Sequence, residues 1–313
     1  MSELASLVTL GPPPPKGLTQ EMIPLVTIGM PVFNGERFIR QALESLLHQT
    51  LSDFELVISD NDSADGTAAV CREYAKRDCR IRYVCQERNI GPTSNFRYLL
   101  DNARGKYFMW AAADDCWSSN WLEVLVQSIR DTDIVVRGTP VVIDSQGTTL
   151  ERIQLSSHRK GSHFKLFMEN ESRARAYYIY GLYETKKIRS VNIDPFELAP
   201  YAGDILFIAN MISFGDIRHV DSTQQFCRRH ATSGGTAEFK RFGGWRRIAY
   251  RVQPFSYYWW SFKLSPTAKK PLFVLGIPTK HVYLQLFLWL LGLRKVVRAL
   301  TGACQQVCRK FLK

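Results

Sequence analysis

Short apolar runs alternate with amphipathic segments from residue 24 to residue 143 of this 313-residue chain. The runs Leu25–Met30 and Phe54–Ser59 have the length and composition of buried strands. The segment Glu36–Gln49 repeats apolar residues three and four positions apart, which is the period of an amphipathic helix. Because parallel strands need such helical crossovers, the alternation predicts an α/β fold in which helices flank a mostly parallel sheet.

The same pattern locates the individual elements. Strands are predicted at Leu25–Met30, Phe54–Ser59, Ile81–Val84, Tyr107–Ala111, 133–137 and 140–143. Helices are predicted at Glu36–Gln49, 67–77, Pro92–Ala103 and 119–130. Thr93 or Ser94 is expected to open the third helix, because a hydroxyl can cap free backbone N–H groups. Residues 144–240 are less regular and predict a mixture of strands and helices.

Polar residues follow three of the predicted strands, at the point where each strand ends. They are the segments Pro31–Asn34 and Asp60–Asp62 and the pair Asp114–Asp115. Open α/β sheets bind ligands beyond the carboxyl ends of their strands, so these clusters are candidate binding residues. The chain contains neither G-x-G-x-x-G nor G-x-x-x-x-G-K. A dinucleotide site and a P-loop are therefore not supported.

Two of these clusters have more than one interpretation. Adjacent carboxylates such as Asp114 and Asp115 are unfavourable unless a cation joins them, and Mg²⁺ or Mn²⁺ would do so while also holding a diphosphate. A solvated turn or a helix cap is the alternative for this pair. Asp60 and Asn61 could bond a nucleobase edge, or they could form an Asx turn and a helix cap.

Three stretches of the chain resemble one known family. The stretches Pro24–Thr67, Glu87–Phe96 and Trp110–Asp115 closely resemble the family-2 glycosyltransferases of the GT-A fold, of the type that builds bacterial surface glycans. The resemblance runs from about residue 24 to 135, fades over 136–200, and returns weakly at 202–230. It implies a nucleotide-sugar donor, a divalent metal (Mn²⁺ or Mg²⁺) and direct transfer with inversion at the anomeric carbon.

Carried over residue by residue, the resemblance assigns roles in the donor site. Asp60 and Asn61 take the place of the residues that contact the base, although the commoner family pair is Asp-Asp. Asp115 matches the direct metal ligand, and Asp114 a ligand of the ribose or the metal. The other nucleotide-facing residues are expected to be Pro31, Val32, Phe33, Asn34, Glu36, Asn89, Gly91 and Asn95.

The Arg228-Arg229-His230 segment supplies further candidates. His230 is expected to be a third metal ligand or a diphosphate contact, unless it is a surface histidine in a basic loop. Arg228 or Arg229 would neutralise phosphate. The sequence from Gln225 to Arg228 echoes the Q-x-x-R-W motif of processive polysaccharide synthases, but Arg229 replaces the tryptophan. Processive synthesis is therefore not expected.

An inverting displacement also needs a base that removes the proton of the acceptor hydroxyl. Asp204 precedes an apolar run of helical period, so it would lie at a helix start, where it could equally be an N-cap. The family places its catalytic base in a similar segment, and the resemblance therefore favours Asp204 as the base. Asp194 and Glu197 are the rival candidates.

The charge of the chain is concentrated at its carboxyl end. Residues 241–313 contain 14 of the 41 Lys and Arg residues and none of the 29 Asp and Glu residues. The rest of the chain is close to neutral. We therefore expect a leader at 1–22, a glycosyltransferase domain at 23–240 and a basic, aromatic, helical region at 241–313. Residues 23–135 would form the nucleotide-binding half of the domain, and 136–240 the acceptor half.

The basic region predicts a partner with negative charge. Its apolar stretch Val282–Leu293 is too short to cross a bilayer, because a spanning helix needs about 20 residues. Basic and aromatic residues around a short apolar stretch are typical of a helix that lies at the membrane surface. We expect peripheral binding to anionic lipid, which suits a lipid-linked acceptor. A helical subdomain packed on the body is the alternative.

Cysteine usage and the amino-terminal sequence indicate a location. The seven cysteines include no C-x-x-C pair, and the first residues lack the pattern of a secretory signal. We expect a cytoplasmic protein on the inner face of the cell membrane. Nucleic acid is not an expected partner, because phosphate-backbone binding needs basic residues where the strand ends carry acidic ones. A non-catalytic membrane-docking protein and a nucleotidyltransferase of similar fold are the alternatives.

Overall fold

The computed structural model describes residues 23–162, 166, 176–191, 207–208 and 210–230. The strands of this part of the chain are β1 (Val26–Val32), β2 (Phe54–Asp60), β3 (Ile81–Cys85), β4 (Tyr107–Trp110), β5 (Cys116–Trp117), β6 (Asp133–Ile143), β7 (Thr149–Arg152), β8 (Leu182–Glu184) and β9 (Asp216–Arg228). The helices are α1 (Glu36–Leu47), α2 (Thr67–Arg77), α3 (Pro92–Asp101), α4 (Trp121–Ser128), a 3₁₀ turn (Ala176–Tyr180) and α5 (Thr185–Ser190).

The strands form one sheet in the order β3-β2-β1-β4-β8-β6-β9-β5, with β7 on β6. The first four strands along the chain are parallel to one another, as expected of strands joined by helical crossovers. Strand β8 runs antiparallel to β4 and β6, and β5 runs antiparallel to β9. The long strands β6 and β9 are parallel partners. The predicted fold class, an α/β sheet flanked by helices, is confirmed.

Apolar side chains alternate between the two faces of the sheet and build a core on each. Leu56 and Ile58 belong to the core that includes α1, α2 and α4, whereas Val57 belongs to the core that includes α3 and α5. Gly29 in β1 makes one of these packings possible. A Cβ atom at this position would lie 3.0 Å from Leu99 of α3 and from the Phe108 ring, so a larger residue would push α3 or the Phe108 ring away by a few tenths of an ångström.

The structure corrects several predicted boundaries. Strand β1 continues through Pro31 to Val32, where the apolar run was expected to end at Met30. The two strands predicted at 133–137 and 140–143 are one strand, because β9 pairs with both halves across a register shift near Gly138. Helix α3 begins at Pro92 and has no side-chain cap, so the expected cap at Thr93 or Ser94 is wrong. Proline suits the first helical position, where its missing N–H group leaves no bond unmade.

Several predictions fall on residues that lie outside the described part of the chain. They are the leader 1–22, Asp204 with its rivals Asp194 and Glu197, and the basic region 241–313. Within the described residues, no helix is long and apolar enough to cross a membrane.

Candidate functional site

The carboxyl ends of β1, β2 and β4 lie side by side in the sheet. Val32 pairs with Asp60 across β1 and β2, and the Ala111 amide beyond β4 donates to the carbonyl oxygen of Gly29 in β1. Strand β5 pairs with the last part of β9 and so places Asp115 next to Arg228. The three polar clusters predicted from the sequence therefore lie along one edge of the sheet.

The loop after β1 is tied to the loop after β2. The Asn34 amide donates to Ser63 Oγ at 2.8 Å, and Asn34 Oδ1 accepts from the Ala64 amide at 2.9 Å. Glu36 Oε2 accepts from the Gly66 amide at 2.9 Å. Asn34 has a φ of 53°, a left-handed conformation that asparagine adopts more readily than most residues. The expected nucleotide residues Asn34 and Glu36 thus join the two loops into one rim.

Other members of the predicted β1 segment differ in exposure. Phe33 is 52% exposed at the rim, which leaves its ring free to contact a ligand. Val32 is buried in the core, and its carbonyl oxygen accepts from the Asn61 amide at 2.8 Å. Pro31 is half-buried within β1. Phe33 is therefore the member of this segment whose side chain is best placed to meet a nucleotide.

Asp60 and Asn61 are both buried at the end of β2. Asp60 Oδ1 accepts from the backbone amide of Ser63 at 3.0 Å, three residues along the chain and one further than in an Asx turn. Asp60 Oδ2 accepts from the Tyr83 hydroxyl at 2.8 Å. Asn61 Oδ1 accepts from the Ile90 amide at 2.8 Å. Both side chains are fixed by bonds to the protein, and a contact with a nucleobase stays a prediction for both.

Asn89, just before α3, and Asn95, within α3, bind the end of β2. Asn89 Oδ1 accepts from Asn61 Nδ2 at 3.0 Å and from the Gly91 amide at 2.9 Å. Asn95 is buried, accepts from Ser59 Oγ at 2.5 Å and donates to the Ser59 carbonyl at 3.0 Å. Their side chains hold the 89–95 segment against β2, and a direct nucleoside contact stays a prediction for both.

Asp115 is buried between β4 and the end of β9. Its Oδ2 atom accepts from Gln225 Nε2 at 2.6 Å, and its Oδ1 atom accepts from the Arg228 amide at 2.8 Å. Burial, together with the neighbouring charge of Asp114, raises the pKa of Asp115 to about 8. The ionised carboxylate is therefore costly until positive charge is brought next to it.

Asp114 and His230 contact each other beside Asp115. His230 Nε2 lies 2.9 Å from Asp114 Oδ2, and the His230 ring packs on Phe38 of α1 with 4.8 Å between ring centroids. The structure thus brings together the three residues predicted as metal ligands, Asp114, Asp115 and His230. It adds an aromatic support from Phe38, which the sequence did not reveal.

These residues fit a divalent cation. Two carboxylates offer the oxygen ligands that Mg²⁺ and Mn²⁺ prefer. Burial raises the pKa of Asp115, and a cation beside the carboxyl group would favour its ionised form. In the part of the chain that the structure describes, no three His, Cys, Asp or Glu side chains are arranged to hold an ion by themselves. A cation would therefore take one or two of these ligands and complete its shell with phosphate oxygens and water.

All three nitrogen atoms of the Arg228 guanidinium donate hydrogen bonds to the protein. Its Nε atom donates to the Asp114 carbonyl at 2.9 Å, its Nη1 atom to the Asp144 carbonyl at 3.2 Å, and its Nη2 atom to Gln41 Oε1 at 2.7 Å. The guanidinium also lies 4.7 Å from the centroid of the Phe38 ring. These contacts join β9, α1 and the carboxylate pair. They describe a scaffold for the pair, whereas the expected phosphate contact stays a prediction.

The sequence did not reveal that two buried residues lie behind Asp115. Gln225 is part of the Q-x-x-R motif only, and no motif includes Arg137. The Gln225 side-chain oxygen accepts a hydrogen bond from the Arg137 guanidinium, and both residues are fully buried. A charged residue inside the apolar run of β6 was the available signal for Arg137.

With this geometry established, the chain can be compared with known proteins. Residues 27–194, more than half of the chain, match the family Glycosyl transferase family 2. The chain belongs to this family. The family resemblance read from the sequence, and with it the assignment to the glycosyltransferases, is confirmed.

Curated relatives share part of the chain. An uncharacterized glycosyltransferase of Bacillus subtilis, EpsJ, is 37% identical over 117 residues, which is 37% of this chain and 34% of EpsJ. The glycosyltransferase GlyA of Streptococcus pneumoniae is 29% identical over 168 residues, which is 53% of this chain and 22% of GlyA. The chain thus spans about a third or less of the length of these relatives.

Solved structures of similar fold cover more of the chain. S. aureus TarS in complex with UDP has a TM-score of 0.56 at 15% identity, covering 79% of this chain and 85% of that one. The mannosyltransferase PcManGT of Pyrobaculum calidifontis, in complex with GDP-Man and Mn²⁺, has a TM-score of 0.50 at 14% identity, covering 81% and 69%. Identities this low establish the shared fold alone.

Proposed function

We propose that this protein is an inverting glycosyltransferase that moves a sugar from a nucleotide-sugar donor to a glycan or lipid-linked acceptor in cell-surface polysaccharide synthesis. The observation that carries the proposal is the Asp114–Asp115 pair at the carboxyl edge of the sheet of a family-2 chain. Asp60 and Asn61 end the next strand but one along the same edge. One cluster would hold the diphosphate through a cation, and the other would bind the base.

The reaction is a single displacement at the anomeric carbon. The acceptor oxygen forms its bond to that carbon as the bond to the donor diphosphate breaks, and the acceptor proton passes to a protein carboxylate. When bound, a divalent cation supplies positive charge to the departing diphosphate. One or two of Asp114, Asp115 and His230 would hold the cation together with the diphosphate, and Asp204 would take the proton. Arg228 keeps the pair in place through its bond to the Asp114 carbonyl.

The donor can be found by a thermal-shift screen with Mn²⁺. A nucleotide-sugar that binds the native state raises the melting temperature. UDP-GlcNAc and GDP-Man come first, because solved structures of similar fold contain them. A donor that raises the melting temperature only with Mn²⁺ is the expected result. If no nucleotide-sugar shifts the melting temperature with or without metal, the proposed activity is wrong.

Asp115→Asn should abolish metal-dependent donor binding and transfer. The amide keeps the shape of the side chain but lacks the charge that attracts the cation, so the loss should exceed about 100-fold in kcat/KM. Isothermal titration of Mn²⁺ and a transfer assay measure the two effects. Circular dichroism checks that the variant is folded. Wild-type turnover in excess chelator would contradict the prediction.

Asp204→Asn should lose transfer and keep its affinity for donor and metal. The amide is nearly isosteric but cannot accept the proton of the acceptor, and general-base catalysis typically contributes about 10²–10⁴-fold to the rate. Donor and Mn²⁺ dissociation constants measured beside kcat separate this effect from that of Asp115→Asn. A turnover close to the wild-type rate would move the base to Asp194 or Glu197.

The location and the acceptor belong to the same proposal. A basic region at 241–313 would hold the enzyme on the anionic inner face of the cell membrane, where a lipid-linked acceptor is available. The charge of this region supports the assignment, since the remainder of the chain is close to neutral.

A further inference from the structure

We propose that Gln225 and Arg137 form a positioning pair that orients Asp115 toward the bound cation. The inference rests on the proposed function, because it adds two residues to the same site. Neither is a catalytic residue in our assignment, since both act on the reaction only through the Asp115 carboxylate. Hydrogen-bond geometry, burial and the direction of the Gln225 amide carry the proposal.

The contacts form a chain of hydrogen bonds from Arg137 to the site. The Arg137 guanidinium donates to the Gln225 side-chain oxygen, and Gln225 Nε2 donates to Asp115 Oδ2 at 2.6 Å. The other end of the guanidinium donates to the Tyr177 carbonyl. Arg137 and Gln225 have no exposed surface, and Asp115 is 6% exposed. Water therefore competes little for any of these bonds.

Arg137 determines which end of the Gln225 amide faces Asp115. A glutamine amide can turn by half a rotation with little change of shape, and it then presents an acceptor where it presented a donor. A guanidinium only donates. Arg137 therefore keeps the amide oxygen on its own side, and the amide nitrogen must point at Asp115.

Hydrogen bonds to both oxygens hold the Asp115 carboxylate group in one plane. Gln225 donates to one carboxylate oxygen and the Arg228 amide donates to the other. Each ionised oxygen has about two lone-pair sites, so these two bonds leave a site on each oxygen for a cation. The arrangement matches the general observation that carboxylate ligands are themselves held by hydrogen bonds from a surrounding layer of residues.

Arg137 is poorly explained as a contribution to fold stability. A buried charge costs free energy unless a partner offsets it. Among the residues that the structure describes, no carboxylate contacts Arg137 directly, and its side-chain bonds lead to Tyr177, Gln225 and Cys227. Asp115 is the carboxylate that this chain of bonds reaches. A role in holding Asp115 accounts for the buried guanidinium of Arg137.

The test is Mn²⁺ binding, measured on the full chain by electron paramagnetic resonance of free Mn²⁺. Gln225→Met keeps the length of the side chain and removes the donor, so it should weaken Mn²⁺ binding about 10–100-fold. Arg137→Met should also weaken binding, because it frees the amide to turn. Arg137→Lys keeps a charged donor and should recover most of the affinity.

The double variant separates a pair from two independent residues. If Arg137 acts through Gln225, Gln225→Met with Arg137→Met should bind Mn²⁺ about as weakly as Gln225→Met alone. Independent effects would multiply, and that result would overturn the proposal. Gln49→Met is the matched control, since Gln49 is a buried glutamine bonded to Ser45, Ser118 and Leu122. It should lower stability and leave Mn²⁺ affinity unchanged.

The outcomes distinguish this inference from the proposed function. A wild-type protein that binds no Mn²⁺ overturns the metal assignment of the proposed function and the positioning pair with it, whereas the proposed transfer activity is judged by the nucleotide-sugar screen. A wild-type protein that binds Mn²⁺ and a Gln225→Met variant that binds it equally overturn the positioning pair alone. If the variants do not fold, nuclear magnetic resonance of the wild-type protein replaces them: Mg²⁺ should shift the side-chain amide of Gln225 and not that of Gln49. An unshifted Gln225 amide at saturating Mg²⁺ would contradict the pair.

Discussion

Arg228 illustrates how a residue of a candidate site can also hold the site together, while its predicted phosphate contact stays a prediction. The sequence put it near phosphate because it stands two residues before His230 in a basic segment. In the structure its donors are taken by the carbonyl oxygens of Asp114 and Asp144 and by Gln41. A side chain with this many protein partners contributes first to the position of the carboxylate pair.

Substitution of Arg228 should therefore cost stability as well as activity. Arg228→Met removes the donor from the part-buried Asp114 carbonyl and from Gln41 Oε1, at about 1–3 kcal/mol for each group, so the free energy of unfolding should fall by about 2 kcal/mol. Urea denaturation measures it. Arg229→Met is the matched control, because Arg229 is exposed and lies 3.9 Å from its acidic neighbour Glu151. It should unfold like the wild type. An Arg228→Met variant of wild-type stability that fails to bind donor would favour the phosphate contact.

The residues of the site divide into those that sequence can reveal and those that it cannot. Asp114 and Asp115 are adjacent to each other and follow an apolar strand, so a local sequence pattern reveals them as candidate site residues. Gln225 and Arg137 become part of the site through pairing of β5 and β6 with β9. Gln225 and Asp115 are separated by 110 positions. No local pattern specifies which distant polar residue will face a given carboxylate.

At the scale of elements, the first half of the sheet was predictable and the second half was not. Strands β1, β2 and β4 are mostly buried and apolar, β3 is partly buried, and the helices between them have a clear period, so the positions of all these elements were predicted to within about three residues. Strand β9 contains many polar residues, because part of it is exposed. Strands β5 and β8 have two and three residues. Such short or polar strands are defined by their partners rather than by their own sequence.

The pairing of β6 with β9 begins at a buried ion pair that should be worth testing by mutation. Asp133 has no exposed surface and accepts from Arg218 Nε at 2.7 Å and Arg218 Nη2 at 3.0 Å. The Arg130 amide donates to the same carboxylate at 2.9 Å. The pair joins the first residues of the two longest strands, whose other ends hold the carboxylate site.

Arg218→Met should lower the free energy of unfolding by roughly 3 kcal/mol. Removing one partner leaves the Asp133 charge buried, and 3–5 kcal/mol is typical for such a loss. The lower end applies because the Arg218 side chain is 21% exposed. The control is Arg40→Met, which breaks an exposed pair with Glu73 and should leave stability nearly unchanged. Equal denaturation midpoints for the two variants would show that the β6–β9 pair contributes little.

At the scale of the whole molecule, charge separates the catalytic body from the basic region. Residues 1–240 contain 27 basic and 29 acidic residues, and residues 241–313 contain 14 basic residues and no acidic ones. The fold of the body is that of the glycosyltransferase family, and the proposed donor site would need negative side chains for a cation. A membrane contact needs positive ones. Placing the two requirements in different parts of the chain allows both to be met.

The basic region should bind anionic membranes through its charge. Each Lys or Arg near an anionic surface contributes about 1 kcal/mol. Changing Arg294, Lys295 and Arg298 to Gln should therefore weaken binding to phosphatidylglycerol vesicles by roughly 3 kcal/mol, or about 100-fold, if all three face the surface. Vesicle sedimentation of the full chain measures this.

The control changes Arg40, Lys76 and Arg77, three exposed residues of the body, to Gln. It removes the same charge and should leave binding unchanged. High salt should release much of the wild-type protein, because it screens charge. Equal loss of binding in the two triple variants would mean that net charge alone directs the protein to the membrane, and equal binding of the wild type to neutral vesicles would remove the electrostatic explanation.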